Sequence, residues 1–234
     1  SLTLALGCNA FGLGFRVLPV KVDAVLTKSS YQRSMTIVNT SSDTLVLEAK
    51  PIFTAFDEKI SAFKNDAPLS EPYQYNLAKY MRVSPRKLVL KPNGNRVIRV
   101  WAKLPNDAPR GTYFTMLNLK MPEAPAKSQQ IQTKVNKKSV TLSLKPLISQ
   151  YIPIYLSKGT PNNSEIKLKT CKITNGPDGE VLVEFTATNN TPWLQKYYYR
   201  VATSSGKIIR TKYPSFILPM STAKRDYATN TLPD

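Results

Sequence analysis

Short runs in which apolar and polar residues alternate, punctuated by proline, glycine and asparagine, recur from residue 14 to about residue 157. A two-residue period predicts strands with one buried face. The runs are residues 15–26, interrupted by Pro19, then 34–39, 44–53 and 80–90. After the turn Pro92-Asn93-Gly94 come 96–104, 112–121 (closed by Pro122) and 140–156. Seven strands at this spacing predict an antiparallel immunoglobulin-like sandwich. Residues 54–79 are polar and irregular and read as a long surface loop, as do residues 122–138, rich in Pro, Ser, Gln and Lys.

Residues 157–164, Ser-Lys-Gly-Thr-Pro-Asn-Asn-Ser, form the best linker in the chain, with no apolar anchor. Strand patterns resume at 165–174, 180–188 and 194–203, with Gly176-Pro177-Asp178-Gly179 as the turn between the first two; short strands follow Lys207. The pattern therefore predicts an all-β chain, with an immunoglobulin-like sandwich followed in tandem by a smaller β domain. Residues 13–157 are the N-terminal domain. Residues 158–234 are a smaller C-terminal β domain, incomplete on this reading because no closing strand is evident before Pro233-Asp234.

The most regular run is residues 140–156. Its even positions are Val140, Leu142, Leu144, Pro146, Ile148, Gln150, Ile152, Ile154 and Leu156, so a strand here would project one nearly unbroken apolar row. These 17 residues would extend roughly 55 Å, against about 17–20 Å for an ordinary strand. Pro146 and Pro153 lack a backbone donor and place the strand at a sheet edge. A long apolar edge is an aggregation hazard unless a partner covers it, most simply an incomplete sheet that accepts the strand by β-augmentation. The competing reading is two strands broken at Pro146 that fill the protein's own core.

Composition narrows the chemistry. Histidine is absent from the 234 residues, which removes Ser-His and Cys-His catalysis and imidazole metal sites. There is no Walker A sequence, and Gly12-Leu13-Gly14 lacks the rest of a dinucleotide fingerprint. Ser-x-x-Lys occurs at Ser61, Ser84, Ser164, Ser204 and Ser221, as chance allows in a chain rich in both residues, and none of these sits on a helical pattern. The expectation is a non-enzyme with no cofactor, no metal and no catalytic residues. The net charge is +18, from 33 basic and 15 acidic residues. It supports an alternative class, a basic β-sandwich binding nucleic acid or another anionic polymer, with Lys196-Tyr197-Tyr198-Tyr199-Arg200 able to stack on bases. The cations are spread along the whole chain rather than gathered in one tract, so no nucleic acid is expected, and part of the charge would steer acidic partners.

The first fifteen residues carry no charge but fall short of the roughly 20 apolar residues of a membrane span. Residues 1–12 read as the remnant of an export signal peptide, with Ala10-Phe11-Gly12 as a small-x-small cleavage site. An ordinary buried segment is the alternative, and Ala5-Leu6-Gly7-Cys8 faintly resembles a lipoprotein box. Removal of the signal would leave Cys171 as the sole thiol.

Several blocks resemble the periplasmic chaperones of chaperone-usher pilus assembly, in their non-classical branches. Leu18-Pro19-Val20-Lys21-Val22-Asp23 resembles the family's first strand and Ser34-Met35-Thr36-Ile37-Val38-Asn39 its second. Residues 83–100, VSPRKLVLKPNGNRVIRV, are the closest block; Gly111-Thr112-Tyr113-Phe114 resembles the sixth strand and Ile152-Pro153-Ile154-Tyr155 the end of the seventh. Each block is short, but together they cover most of residues 14–156 in the expected order. The resemblance implies an all-β fold of two immunoglobulin-like β-sandwich domains in tandem, set at an angle, and an ATP-independent chaperone of the periplasm. Such a chaperone caps a pilus or fimbrial subunit by donor strand complementation and hands it to an outer-membrane usher. It assigns Val140, Leu142 and Leu144 as the donor positions and Lys21 as a basic anchor for the subunit's terminal carboxylate. The family's later anchoring lysine is replaced here by Ile152-Pro153, and its following Arg-Pro by Leu156-Ser157, so Lys145, earlier in the strand, is the second candidate. An exposed donor row also predicts self-association of the free chaperone.

Overall fold

The computed structural model describes residues 14–26, 28–53, 56–57, 62–63, 73–122, 129–135, 138–144, 148–161, 165–175, 181–202, 205–206 and 208–229. Strands are numbered β1 to β18 in chain order. One sheet has the order β1 (Phe15–Leu18), β3 (Ser30–Asn39), β9 (Asn95–Lys103), β7 (Met81–Ser84). The facing sheet has the order β2 (Val22–Leu26), β13 (Ser149–Lys158), β10 (Gly111–Lys120), β4 (Leu45–Ile52), β8 (Lys87–Leu90). Every pairing in these two sheets is antiparallel except β13 with β2. Alternation explains the packing. On β9, Ile98, Val100 and Ala102 are buried while Val97, Arg99 and Trp101 are exposed. The inward rows of both sheets, including Met35, Ile37, Leu47, Leu88, Leu117, Leu119, Ile152 and Ile154, make one core.

Two runs expected as single strands each divide between the sheets. Residues 15–26 break at Pro19, with β1 in the first sheet and β2 in the second. Residues 80–90 break at Pro85, into β7 and β8. In both places proline, which has no N–H for the ladder, marks where the chain crosses the sandwich. The expected loop 54–79 holds the two-residue pair β5 (Phe56–Asp57) and β6 (Ala62–Phe63), and at its end Tyr75 and Leu77 enter the core beside a 3-10 turn at Leu77–Tyr80. The other expected loop, 122–138, contains β11 (Gln129–Val135).

Residues 166–229 supply a three-stranded sheet, β14 (Ile166–Asn175), β15 (Val181–Asn189), β18 (Ser221–Thr229), and a pair, β16 (Gln195–Ala202) with β17 (Ile208–Ile217). Val183, Phe185, Ala187 and Ile217 form their smaller core. β14 is an edge strand and is exposed along nearly its whole length, with Leu168, Ile173, Lys167, Lys169 and Lys172 all facing solvent.

The same asparagine device closes a turn in each half. Asn39, at the end of β3, donates from Nδ2 to the carbonyls of Asp43, Leu90 and Lys91, while its Oδ1 accepts from the Ser41 amide and hydroxyl. Asn189, at the end of β15, donates to the carbonyls of Trp193, Ile217 and Leu218 and accepts from the Thr191 amide and hydroxyl. Both asparagines are about 1% exposed or less, so each satisfies a knot of backbone groups that would otherwise be buried without partners.

The turn that Asn189 holds docks on the first sandwich. The Thr112 amide donates to the Pro192 carbonyl at 2.8 Å, and the Leu194 amide donates to the Thr112 hydroxyl at 3.1 Å. Tyr73 adds a hydrogen bond from its hydroxyl to the Pro219 carbonyl at 2.8 Å.

Candidate functional site

The run 140–156 is not one strand. Residues 145–147, which include Lys145 and Pro146, lie outside the described residues, and the pieces on either side belong to different sheets. The downstream piece, β13, lies between β10 and β2 instead of forming a sheet edge over its full length. Its Ile152, Ile154 and Leu156 are at most 1% exposed, in the protein's own core. That half of the apolar row fills the sandwich, as the competing sequence reading held. The upstream piece, β12 (Lys138–Leu144), is different. Among the described residues it pairs only with β11, in a two-stranded ladder separate from both sandwich sheets. Val140, Leu142 and Leu144 lie on this strand, opposite Thr133, Ile131 and Gln129.

The two ladders follow one another. β10 runs into β11 and β12 runs back into β13, with Lys120 opposite Ser149, Gln129 opposite Leu144 and the Met121 amide bonded to the Ile148 carbonyl at 3.0 Å. Eight residues separate Lys120 from Gln129 but only four separate Leu144 from Ser149, so the ladders are out of step by four residues. The outer edge of β13 is taken by β2 only from Ile154, opposite Val22, to Lys158, opposite Leu26. Upstream of Ile154, no other strand among the described residues registers on that edge. Pro153 sits in this one-sided stretch, where its missing donor disrupts no ladder.

Lys21 immediately precedes Val22, where β2 takes over that edge. Its Nζ is 3.4 Å from Asp23 Oδ2 and 5.2 Å from the centroid of the Tyr155 ring. From the second domain, Lys196 near the start of β16 reaches the same Asp23 Oδ2 at 2.9 Å. Burial alone would raise the Asp23 carboxyl, but the hydrogen bond and charge of Lys196, then those of Lys21, hold it below the usual carboxylate range. Burial, then the Asp23 charge, push the Tyr155 hydroxyl well above its ordinary value, so it stays neutral.

At Tyr155 the domains meet through aromatics. Phe114 and Tyr155 stack at 5.2 Å, and Phe216 meets Tyr155 edge-on at 5.5 Å. β10 is buried on both faces here, Tyr113, Leu117 and Leu119 toward the sandwich core and Phe114 and Met116 toward the second domain. Sequence reading missed Asp23, Lys196 and this interface. The available signal was the charge-free run from Gly111 to Leu119, since a strand covered on both sides loses its polar alternation. Among the described residues no group of three His, Cys, Asp or Glu could hold a metal ion.

The molecule is thus a two-domain β-sandwich protein with a separate two-stranded ladder, and its fold is that of the YadV chaperone. The YadV chaperone superposes with a TM-score of 0.50 at 11% identity, over 95% of this chain and 88% of that one. The CupB2 chaperone of Pseudomonas aeruginosa gives 0.48 at 13% identity, covering 91% and 89% of the two chains. The CsuC–CsuE chaperone–subunit complex of Acinetobacter baumannii gives 0.45 at 13% identity, covering 90% and 89%. No protein-family model matches the sequence, and no curated protein does.

Proposed function

We propose that this chain is an ATP-independent periplasmic chaperone that caps pilus or fimbrial subunits and delivers them to an outer-membrane usher. It lends the subunit the outer edge of β12 and the adjoining start of β13, with Val140, Leu142 and Leu144 as donor residues. The observation that carries this reading is the β11–β12 ladder standing apart from both sandwich sheets, in sequence continuity with a strand whose outer edge is only partly occupied. The ordered sequence blocks and the shared fold support it.

The geometry implies a direction. A subunit strand that ends where β2 begins, with its carboxylate at Lys21, must run parallel to β13, as β2 itself does. It would occupy the same rank as β2, end to end with it. Burying three donor side chains is worth roughly 1.5–3 kcal/mol each, whereas exposed ion pairs contribute about 0–1 kcal/mol. Affinity should therefore rest on the apolar contacts and the main-chain ladder.

Co-expression with a subunit encoded beside the gene tests this. The complex should survive about 1 M salt, where screening leaves apolar burial in place. Leu142→Glu with Leu144→Glu should abolish co-purification while the chaperone's thermal transition stays put. Retained capture by that double variant would refute the donor assignment.

A polyanion-binding reading has one observation in its favour. The outward face of the first sheet brings Arg82 opposite Trp101 and Ser84 opposite Arg99, with Lys103 two residues beyond Trp101. Such binding would fall steeply as salt rises from 50 to 200 mM, the reverse of the behaviour expected for subunit capture.

A further inference from the structure

Two ammonium groups from different domains converge on one carboxylate oxygen. Lys21 and Lys196 lie 3.4 and 2.9 Å from Asp23 Oδ2, although Lys196 and Asp23 are 173 residues apart in the chain. Asp23 pairs with Tyr155 across β2 and β13, so this cluster stands where β2 takes over the β13 edge, the point at which a strand laid along the upstream edge would end. The balance is two cations to one anion. Each ammonium has three donor hydrogens, and the Asp23 contact engages one from each. Both side chains stay open to solvent, Lys21 43% and Lys196 53% exposed. On β13, Ile152, Leu156 and Ser157 are uncharged and buried.

We propose that Lys196, from the second domain, completes with Lys21 a site for the C-terminal carboxylate of the bound strand, and that Asp23 is the internal carboxylate occupying this site in the free chain. This rests on the donor-edge reading above. An arriving carboxylate restores a two-to-two balance and draws on the donor hydrogens that Asp23 leaves unused. It also ties the second domain to the ligand, because Lys196 cannot reach the terminus unless the two domains hold their present arrangement.

The test uses the full chain and a dye-labelled octapeptide of alternating valine and threonine, made with a free C-terminal carboxylate or with a C-terminal amide. Anisotropy titration should give the wild type about tenfold preference for the carboxylate form, as a charge-assisted contact warrants. Lys196→Ala and Lys21→Ala should each reduce that preference several-fold. Lys196→Gln, which keeps a donor toward Asp23 but removes the charge, should behave like Lys196→Ala. Asp23→Asn should widen the preference, because it removes the competing anion while nearly preserving shape; a residue that only struts the domains would narrow it or leave it alone. An unchanged preference in Lys196→Ala, or an unwidened one in Asp23→Asn, overturns the proposal and leaves the donor-edge reading standing. Equal binding of both peptides, or of neither, by the wild type also overturns it. The donor edge itself is judged separately, by the Leu142 and Leu144 co-expression result.

Discussion

Gly111 opens β10 against the Pro192 turn of the second domain. Its φ is +148°, and a Cβ built there would collide with the Pro192 carbonyl oxygen and the Tyr75 ring. The next amide, Thr112, makes the hydrogen bond that docks the Asn189 turn. Gly111→Ala should therefore cost about 1–3 kcal/mol, and a denaturant titration followed through Trp193 fluorescence should show the loss. Asp23 gives a second prediction at this scale. Its folded pKa is lowered, so its contribution is fully present above the unfolded carboxyl value and is lost as pH falls through the folded one. The urea midpoints of wild type and Asp23→Asn should differ modestly at pH 7, since the side chain is 41% exposed, and converge below the carboxylate range. Midpoints that stay apart in acid would show that the charge is not what Asp23 contributes.

At the scale of elements, the alternation pattern revealed nearly every strand but misread what its prolines mean. A proline inside an apolar run looks the same in sequence whether the chain crosses to the other sheet, as at Pro19 and Pro85, or continues along a one-sided edge, as at Pro153. What differs is whether a neighbour is present on the side of the missing N–H, and strands 22–26 and 149–158 settle that only after folding. The period-two signal also reports one buried face at a time. It therefore marks residues 112–121 as a strand but gives no reason for both faces to be buried, Tyr113 and Leu117 in the sandwich core and Phe114 and Met116 against the second domain. Of the candidate site, Lys21 and the proposed donor positions Val140, Leu142 and Leu144 could be nominated from motifs. Lys196 could not, because no local pattern marks a lysine whose partner lies 173 residues away.

For the whole molecule, the strands β14 and β12 differ in charge. β14 carries Lys167, Lys169 and Lys172 within six residues, and a second copy laid antiparallel on it would bring ammonium groups face to face. β12 has a lysine only at its first residue, and Ser139 to Leu144 are uncharged. Copies of the free chain should therefore meet through the β11–β12 ladder, and sedimentation at rising concentration should show dimers that Leu142→Glu with Leu144→Glu prevents. Dimers that persist in that variant would point to another contact. Electrostatic repulsion thus polices β14 and leaves β12 unguarded, so under the proposed function the protein's own abundance would compete with a subunit for the same berth.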